Sequence, residues 1–390
     1  MANDKDFVVN GPVVVGKDTK VTVGTVTSGA VDLSTGNYFT DSPSGDYTYS
    51  FTNPGAVQAF QIEATGGSEA VAQTFNTTLY TGINAINSVN TGIDLANDGG
   101  LVWIKSRNND NSSAHNIYDT ARGVNRPLSS HTTGGDYVAA NSLTSFNTTG
   151  FTVGNQNATN SPLDNFVAWT FKKQTKFFDI VTYNGDGNSS QTISHNLGTT
   201  VGMLVVKRTD ASGEGWEVYH RGVTFNAGNR LRLNLTNALA TGSGAFSSAP
   251  TSTEFFVGPD SATNSSGGTY VAYLFAHDTA SDGLIQCGSY TGNGSATGPE
   301  INLGWAPQWL LVKGVSSAND WFLLDNKRGT INKHLYANTD DIEYDTDAIE
   351  ATATGFKLVQ SYGAWNASGQ TYVYMAIRSA SAPAITWPTS

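Results

Sequence analysis

The sequence predicts an all-β protein, with a short N-terminal β segment followed by three tandem β-sandwich modules of the jelly-roll or lectin-like kind. Three observations support this prediction. The 390 residues include 42 glycines but only 14% charged residues, a composition that suits short strands and tight turns. Short β-branched or aromatic runs alternate with polar turn clusters. Finally, five sequence anchors recur three times in the same order.

The five anchors define one repeated unit. It opens on a strand ending in Tyr-x-Gly: Leu79–Gly82, Thr182–Gly185 and Ser289–Gly292. An apolar strand ending in lysine follows: Leu101–Lys105, Leu204–Lys207 and Leu310–Lys313. An Arg-Gly pair comes next, at Arg122, Arg221 and Arg328. A strand containing phenylalanine and a final apolar strand complete the unit: Gly150–Gly154, Glu254–Gly258 and Gly355–Val359, then Phe166–Phe171, Tyr270–Phe275 and Tyr372–Ile377.

The length of the unit, roughly 100 residues, is that of a domain rather than of a solenoid repeat. We therefore expect each copy to close its own core, with the lysine-ended strands central and buried on both faces. The predicted divisions are an N-terminal attachment or oligomerisation segment at 1–72, modules at 73–174, 175–280 and 281–378, and an extended arm at 379–390.

The N-terminal segment alternates apolar and polar residues but is too small to bury much surface alone. Such segments are commonly completed by partner chains, so a homo-oligomer is expected, with a trimer favoured.

Composition excludes several function classes. A net charge of −11 without clustered Lys or Arg argues against nucleic acid and against an anionic membrane surface. The single cysteine, Cys287, excludes an intrachain disulfide and a multi-cysteine zinc site. No apolar run approaches the length of a membrane span, so no membrane insertion is expected. Residues Met1–Phe7 have no signal-peptide pattern, which predicts synthesis in a cytosol.

Several stretches resemble a domain of unknown function that is frequent in predicted structural proteins of marine tailed phages, including cyanophages. The stretches are Thr192–Gly198, Val206–Arg208, Tyr219–Gly222 and Gly267–Phe275, with Asp32–Phe39 and Tyr47–Pro54 resembling another piece of such fibre proteins. The first copy lacks the His-Asn-Leu-Gly stretch, and the third has Ile301–Gly304 instead. The resemblance implies a tail fibre, capsid fibre or decoration protein of the virion, with other virion proteins as partners and no assigned catalytic residues.

In similar fibre proteins an Ile-Thr-Trp-Pro stretch follows a Thr-Gly-Gly turn directly. Here Thr65–Gly67 and Ile385–Pro388 are separated by the three modules. We therefore hypothesise that the modules are an insertion and that the C-terminal strand folds back onto the N-terminal segment.

The candidate ligand-binding residues are Trp216 and Trp321, which follow the lysine strand at equivalent places. Exposed tryptophans stack on sugar faces, whereas core packing is the alternative. The recurring arginines are candidates to grip a carboxylate or a sugar, or to tie a turn to backbone carbonyls. The acidic stretch from Asp340 to Glu350 is either a solvated loop or a calcium site without EF-hand spacing.

No catalytic residue, metal site or cofactor is predicted. Glycosidase chemistry needs two facing carboxyls, and the available acids do not recur at one place in all modules: Glu63, Asp94, Asp164, Glu214, Glu217 and Glu254. The leading prediction is a non-enzymatic virion protein that displays β-sandwich modules for assembly or host attachment. The alternatives are a lectin-like adhesin that binds host surface glycans and a polysaccharide-degrading enzyme.

Overall fold

The structure is a computed structural model. It describes five short strands within residues 1–72, and residues 73–379 except 110–113, 227 and 243. The chain divides into two compact units, the larger of which is Gln73–Ala380.

The described part of the smaller unit is a set of short strands: β1 (Val23–Thr25), β2 (Ala30–Asp32), β3 (Tyr38–Asp41), β4 (Ser50–Thr52) and β5 (Gln61–Ala64). They form two parallel sheets, β1-β3-β5 and β2-β4. The N-terminal β segment is therefore present. The predicted return of residues 384–388 to this segment, and all of the predicted arm beyond Ser379, lie outside the described residues.

In the larger unit every repeat contributes a large and a small antiparallel sheet. The first repeat contains β6 (Phe75–Thr81), β7 (Asn87–Asn90), β8 (Gly100–Ser106), β9 (Asn116–Asp119), β10 (Leu143–Asn147), β11 (Gly150–Val153), α1 (Asn157–Asn160) and β12 (Asn165–Lys172). The second contains β13 (Phe178–Asn184), β14 (Gln191–Ser194), β15 (Val201–Arg208), β16 (Trp216–His220), β17 (Leu231–Arg232), β18 (Phe246–Ser248), β19 (Glu254–Val257), α2 (Ser261–Asn264) and β20 (Thr269–Ala276). The third contains β21 (Ile285–Thr291), β22 (Glu300–Asn302), β23 (Pro307–Gly314), β24 (Trp321–Asp325), β25 (Lys333–Tyr336), β26 (Tyr344–Asp345), β27 (Ile349–Thr352), β28 (Gly355–Leu358), α3 (Gly363–Asn366) and β29 (Thr371–Arg378).

Strand order is the same in all repeats. The large sheets are β6-β12-β8-β9, β13-β20-β15-β16-β17 and β21-β29-β23-β24-β25-β26. The small sheets are β10-β11-β7, β14-β19-β18 and β22-β28-β27. The prediction of an all-β, sandwich-type protein is confirmed.

The apolar runs that end in lysine are buried at every residue, as predicted: Leu101–Lys105 in β8, Leu204–Lys207 in β15 and Leu310–Lys313 in β23. In β8 the side chains alternate between two cores because successive strand residues point to opposite faces. Val102 and Ile104 pack in a core made only of first-repeat residues, whereas Leu101 and Trp103 pack in a second, larger core. Burial on both faces explains why the sequence shows a continuous apolar run rather than an alternation.

The larger core is shared by the three repeats. It joins Trp103, Trp216 and Trp309, one from each repeat, in a single cluster of buried side chains. The first and third repeats do have cores made only of their own residues. The expectation that each copy is self-sufficient is nevertheless wrong, because all three repeats also contribute to the shared core. The large sheet of each repeat has a second apolar face, and side chains from the other two repeats cover it.

Three equivalent backbone hydrogen bonds connect the repeats into a ring. The N–H donors and C=O acceptors are Asp136 to Thr209 at 2.6 Å, Leu239 to Val315 at 2.9 Å and Glu343 to Arg107 at 2.8 Å. Each acceptor lies two residues after the recurring lysine of the next repeat, and the third bond returns to the first repeat. The larger unit is thus a closed ring of approximate threefold symmetry.

Candidate functional site

The recurring lysines lie at the contacts between repeats. Lys207 Nζ donates to Thr133 O of the first repeat at 3.4 Å, and Lys313 Nζ donates to Thr236 O of the second at 2.9 Å. Lys105 Nζ donates to Asp340 O of the third at 3.3 Å. Burial lowers the pKa of Lys105 to about 7 and those of the other two lysines to about 8. These side chains connect neighbouring repeats and offer no free amine.

Trp216 and Trp321, the predicted ligand-binding residues, also connect repeats. They are buried, 0% and 1% exposed. Trp216 Nε1 donates to Ser129 O of the first repeat at 3.1 Å, and Trp321 Nε1 donates to Arg232 O of the second at 2.8 Å. Neither indole offers a face on which a sugar could stack, so the structure places both in the packing role.

Two of the recurring arginines also stabilise the contacts between repeats. Each does so through an aspartate that the sequence analysis missed. Arg122 and Arg328 each pair at 2.6 Å with the aspartate three residues earlier, Asp119 or Asp325. Asp119 accepts a hydrogen bond from Tyr273 of the second repeat at 2.7 Å, and Asp325 accepts one from Trp169 of the first at 3.0 Å. The Asp-x-x-Arg spacing in the first and third copies was the sequence signal that could have identified these aspartates.

The second repeat departs from this arrangement, and the predicted equivalence of Arg221 is wrong. In strand register His220 corresponds to the two aspartates, so Arg221 lies two positions earlier than Arg122 and Arg328 do. By strand pairing, the third-repeat residue that corresponds to Trp169 and Tyr273 is Met375, which cannot donate a hydrogen bond. His220 instead donates from Nε2 to the backbone oxygen of Tyr374 at 3.1 Å. The second repeat therefore bonds to the third through a backbone carbonyl, where the aspartates of the other two repeats bond to a side chain.

The Tyr-x-Gly opening has a structural cause in each repeat. The hydroxyls of Tyr80, Tyr183 and Tyr290 donate to carbonyls of the short helical turn before the last strand, at 2.6, 2.7 and 2.8 Å. A Cβ on the following glycine, for example Gly185, would overlap the Ser265 carbonyl.

The helical turns α1, α2 and α3 end in a buried asparagine that the sequence analysis also missed: Asn160, Asn264 and Asn366. Its side-chain oxygen accepts the N–H of the residue after the opening glycine at 2.8–2.9 Å. The recurring Ala-x-Asn pattern, ten or so residues before the end of the unit, was a visible signal.

The acidic stretch of the third repeat is partly a contact between repeats. Glu343 pairs with Arg107 of the first repeat through two bonds of 2.9 Å, and with Arg328 at 3.3 Å. Asp345, in contrast, has a side chain that is 78% exposed. Among the described residues no group of three or more His, Cys, Asp or Glu side chains is placed to hold a metal ion.

Glu217 is the most deeply buried of the candidate acids that the structure describes. It is fully buried, and it pairs with Arg230 at 3.0 Å and Arg232 at 3.1 Å. Burial raises the pKa of its carboxyl to about 7, and the two arginines oppose that rise. Arg230 also pairs with Asp260. These charges lie close together inside the second repeat, although Glu217 Oε2 and Arg230 Nε make no hydrogen bond of normal geometry.

The third repeat fills the same place with aromatic rings. By strand pairing, Phe322, His334, Tyr336 and Tyr344 correspond to Glu217, Arg230, Arg232 and Ala240. Tyr362 and Asp260 both immediately precede the helical turn of their repeat. We call His334, Tyr336, Tyr344, Tyr362 and Trp365 the aromatic cluster.

The aromatic cluster is layered. His334 and Trp365 are buried, with ring centroids 5.9 Å apart. Tyr344 stacks on His334 at 5.7 Å and an interplanar angle of 27°. Tyr344 is 41% exposed and Tyr362 65% exposed, so the outer layer of the cluster faces solvent.

The first repeat has an exposed apolar patch at a different place, near its opening glycine. It consists of Ile83, Ile86 and Leu163, at 53%, 81% and 85% exposure. Leu163 has φ +69°, a left-handed conformation that costs a leucine roughly 1–2 kcal/mol. The equivalent residues of the other repeats are Gly267 and Gly369, whose N–H groups make the same bond to the opening glycine. The fold therefore does not require a leucine here.

These features define a class: a closed ring of three β-sandwich repeats around a shared apolar core. The chain belongs to the family of the domain of unknown function DUF7483, which matches residues 70–381 and so spans all three repeats. No curated protein and no solved structure matches the chain. Within the part of the chain that the structure describes, no helix is long and apolar enough to cross a membrane.

Proposed function

We propose that the protein is a non-enzymatic structural component of a tailed-phage virion, of the fibre or decoration type, made in the host cytoplasm and carried on the particle. The observation that carries the proposal is the closed ring, in which each repeat is bonded to both others through backbone groups and buried side chains. A rigid ring of this kind suits a part that must hold its shape in an assembly. The resemblance of Thr192–Gly198 and Tyr219–Gly222 to phage structural proteins supports the same role.

The roles of the buried acids support a function without bond chemistry. Asp119, Asp325 and Glu343 hold neighbouring repeats together, and Glu217 is enclosed by arginines. These four carboxyl groups are therefore already paired with side chains that stabilise the fold. The outer surface and its loops remain for contacts with other molecules.

We infer that the exposed patch of Ile83, Ile86 and Leu163 contacts a second copy of this chain. Exposed apolar patches of this kind mark association sites, and a leucine kept in a left-handed turn adds an apolar side chain at a cost in stability. The test is the mass in solution of the full chain by light scattering. Ile83→Asp with Leu163→Gly, the residues of the second repeat, should lower an oligomer's mass. A wild-type monomer, or an unchanged variant, contradicts this contact.

The virion role is tested by mass spectrometry of purified particles, followed by locating the chain in the intact particle by cryo-electron microscopy. We expect a fixed copy number per particle. A chain that is abundant in the infected lysate but absent from purified particles would overturn the proposal. Release of oligosaccharides from host envelope polymer, abolished by one Asp or Glu substitution, would establish the enzymatic alternative.

A further inference from the structure

The aromatic cluster of the third repeat is built as a surface platform. One face of Tyr344 rests on His334, and the tyrosine is 41% exposed. Beneath it, Phe322 packs on Trp365 at 3.8 Å between centroids and on Tyr336 at 5.2 Å. The buried rings pack against the outer ring, and part of Tyr344 remains open to solvent.

A polar group without a partner lies directly behind the platform. His334 is 6% exposed, and neither ring nitrogen has a hydrogen-bond partner among the described residues. Burial lowers the pKa of His334 to about 4, so the imidazole is neutral and has one donor and one acceptor nitrogen. Buried polar groups are normally paired, so the imidazole calls for a further partner such as an ordered water. The same holds for Glu217 Oε2 and Arg230 Nε at the equivalent place in the second repeat.

Carboxylates border the platform. Asp320 comes two residues before Phe322, and Asp341 comes three residues before Tyr344. Burial raises the pKa of the Tyr336 phenol to about 12, with smaller effects from Asp320, Tyr362, Tyr344 and Asp341 in that order. Asp320 accepts one bond from Asn338 at 2.7 Å and Asp341 one from Thr339 at 2.8 Å. A carboxylate has about four acceptor positions, so both retain capacity for hydroxyl donors. Their charge disfavours an anionic ligand.

The fold does not require this arrangement. In the second repeat the equivalent residues are the mutually paired Glu217, Arg230, Arg232 and Asp260, with Ala240 in place of Tyr344. The strand β26, which positions Tyr344, has only an isolated bridge as its counterpart there. A cluster of opposite charges around a buried carboxyl in one repeat and an exposed aromatic surface in another show that the fold does not dictate the aromatic surface, which is therefore available for a ligand.

We propose that the aromatic cluster binds a neutral glycan, with a pyranose ring stacked on Tyr344 and sugar hydroxyls donating to Asp320 and Asp341. Aromatic faces pack on the C–H face of a sugar, and the bordering carboxylates accept its hydroxyls. The site differs from the tryptophans that the sequence suggested. It is independent of the virion role, because particle location and glycan binding are measured separately.

The test is calorimetric titration of the full chain with two neutral probes, cellotetraose and the tetramer of N-acetylglucosamine, and one acidic probe, tetragalacturonate. We expect at least one neutral probe to bind and the acidic probe not to. Tyr344→Ala with Tyr362→Ala should weaken binding by about tenfold or more, because loss of about 1.4 kcal/mol is tenfold in affinity. Tyr344→Phe, which keeps the ring, should bind nearly as the wild type does.

The matched control is Tyr137→Ala, a tyrosine of the first repeat that is 56% exposed and outside the aromatic cluster. Thermal unfolding of each variant separates lost binding from lost folding. The proposal is overturned if neither neutral probe binds at up to about 10 mM, a concentration at which even millimolar affinity is measurable. It is equally overturned if the control weakens binding as much as the double variant, or if the site captures a protein and no sugar.

Discussion

Replacement of Trp169 by phenylalanine tests whether the three repeats fold as one unit. Trp169 is fully buried in the shared core, its Nε1 donates to Asp325 of the third repeat at 3.0 Å, and Arg328 lies 5.4 Å over its ring. The substitution removes a hydrogen bond to a charged group, about 1.5–3 kcal/mol. It also removes buried ring atoms, about 1–2 kcal/mol. We therefore expect the free energy of unfolding to fall by about 2.5–5 kcal/mol.

A double-mutant cycle with Asp325→Asn isolates the contact between the first and third repeats. Because the two side chains interact directly, we expect a coupling energy of about 0.5–3 kcal/mol. The free energies of unfolding of the wild type, the two single variants and the double variant are measured by denaturant unfolding. Each transition is monitored both by far-ultraviolet circular dichroism and by tryptophan fluorescence.

The two probes also report cooperativity. In a closed ring with a shared core, both should follow one transition in the wild type, and the variant's transition should move as a whole. Separate transitions, with only part of the signal shifted by Trp169→Phe, would show that the repeats are independent domains. A coupling energy near zero would show that the indole–carboxylate bond contributes nothing to ring closure.

Three further predictions concern single positions. Leu163→Gly should preserve the free energy of unfolding or raise it by up to about 1 kcal/mol, because it relieves a left-handed leucine at the entropic cost of a glycine. Gly267→Ala at the equivalent turn should lower the free energy of unfolding. Both changes are measured by denaturant unfolding. Gly185→Ala should cost about 1–3 kcal/mol, because its Cβ overlaps the Ser265 carbonyl; an unchanged midpoint would refute that close approach. Burial lowers the pKa of His220 to about 3, so the unfolded chain binds the proton more readily and stability falls as the pH drops below about 6.5, by about 2 kcal/mol at pH 5. His220→Gln should flatten this part of the pH profile, and an unaltered slope would contradict the assignment.

Much of the local architecture was predictable from the sequence. The apolar run before Lys207 predicts a strand buried on both faces, because one-sided burial would leave alternating polar residues. Tyr183 and Gly185 mark a recurring turn, and the structure shows the bond and the close approach that require them. The Asn264 turn was equally visible as a repeated pattern but was missed.

The candidate sites were less predictable. A tryptophan such as Trp216 has the same sequence signature whether it is exposed or buried, because exposure depends on what packs against it. Its partner carbonyl, on Ser129, is 87 residues away. Arg221 was placed two positions out of register because only strand pairing shows that His220 takes the place of an aspartate. The aromatic cluster joins Tyr336, Tyr344 and Tyr362 from separate segments, which sequence spacing does not reveal.

The sequence by itself determined the class of strands, their repeated order and the positions where a glycine or a two-sided apolar run is required. These features depend on local backbone sterics and side-chain periodicity, which neighbouring residues encode. Only the tertiary structure decided that the repeats close into a ring, that the tryptophans face inward and that the third repeat presents aromatic rings. Those outcomes depend on pairings between distant segments, and their free energy comes from side chains that meet only after folding.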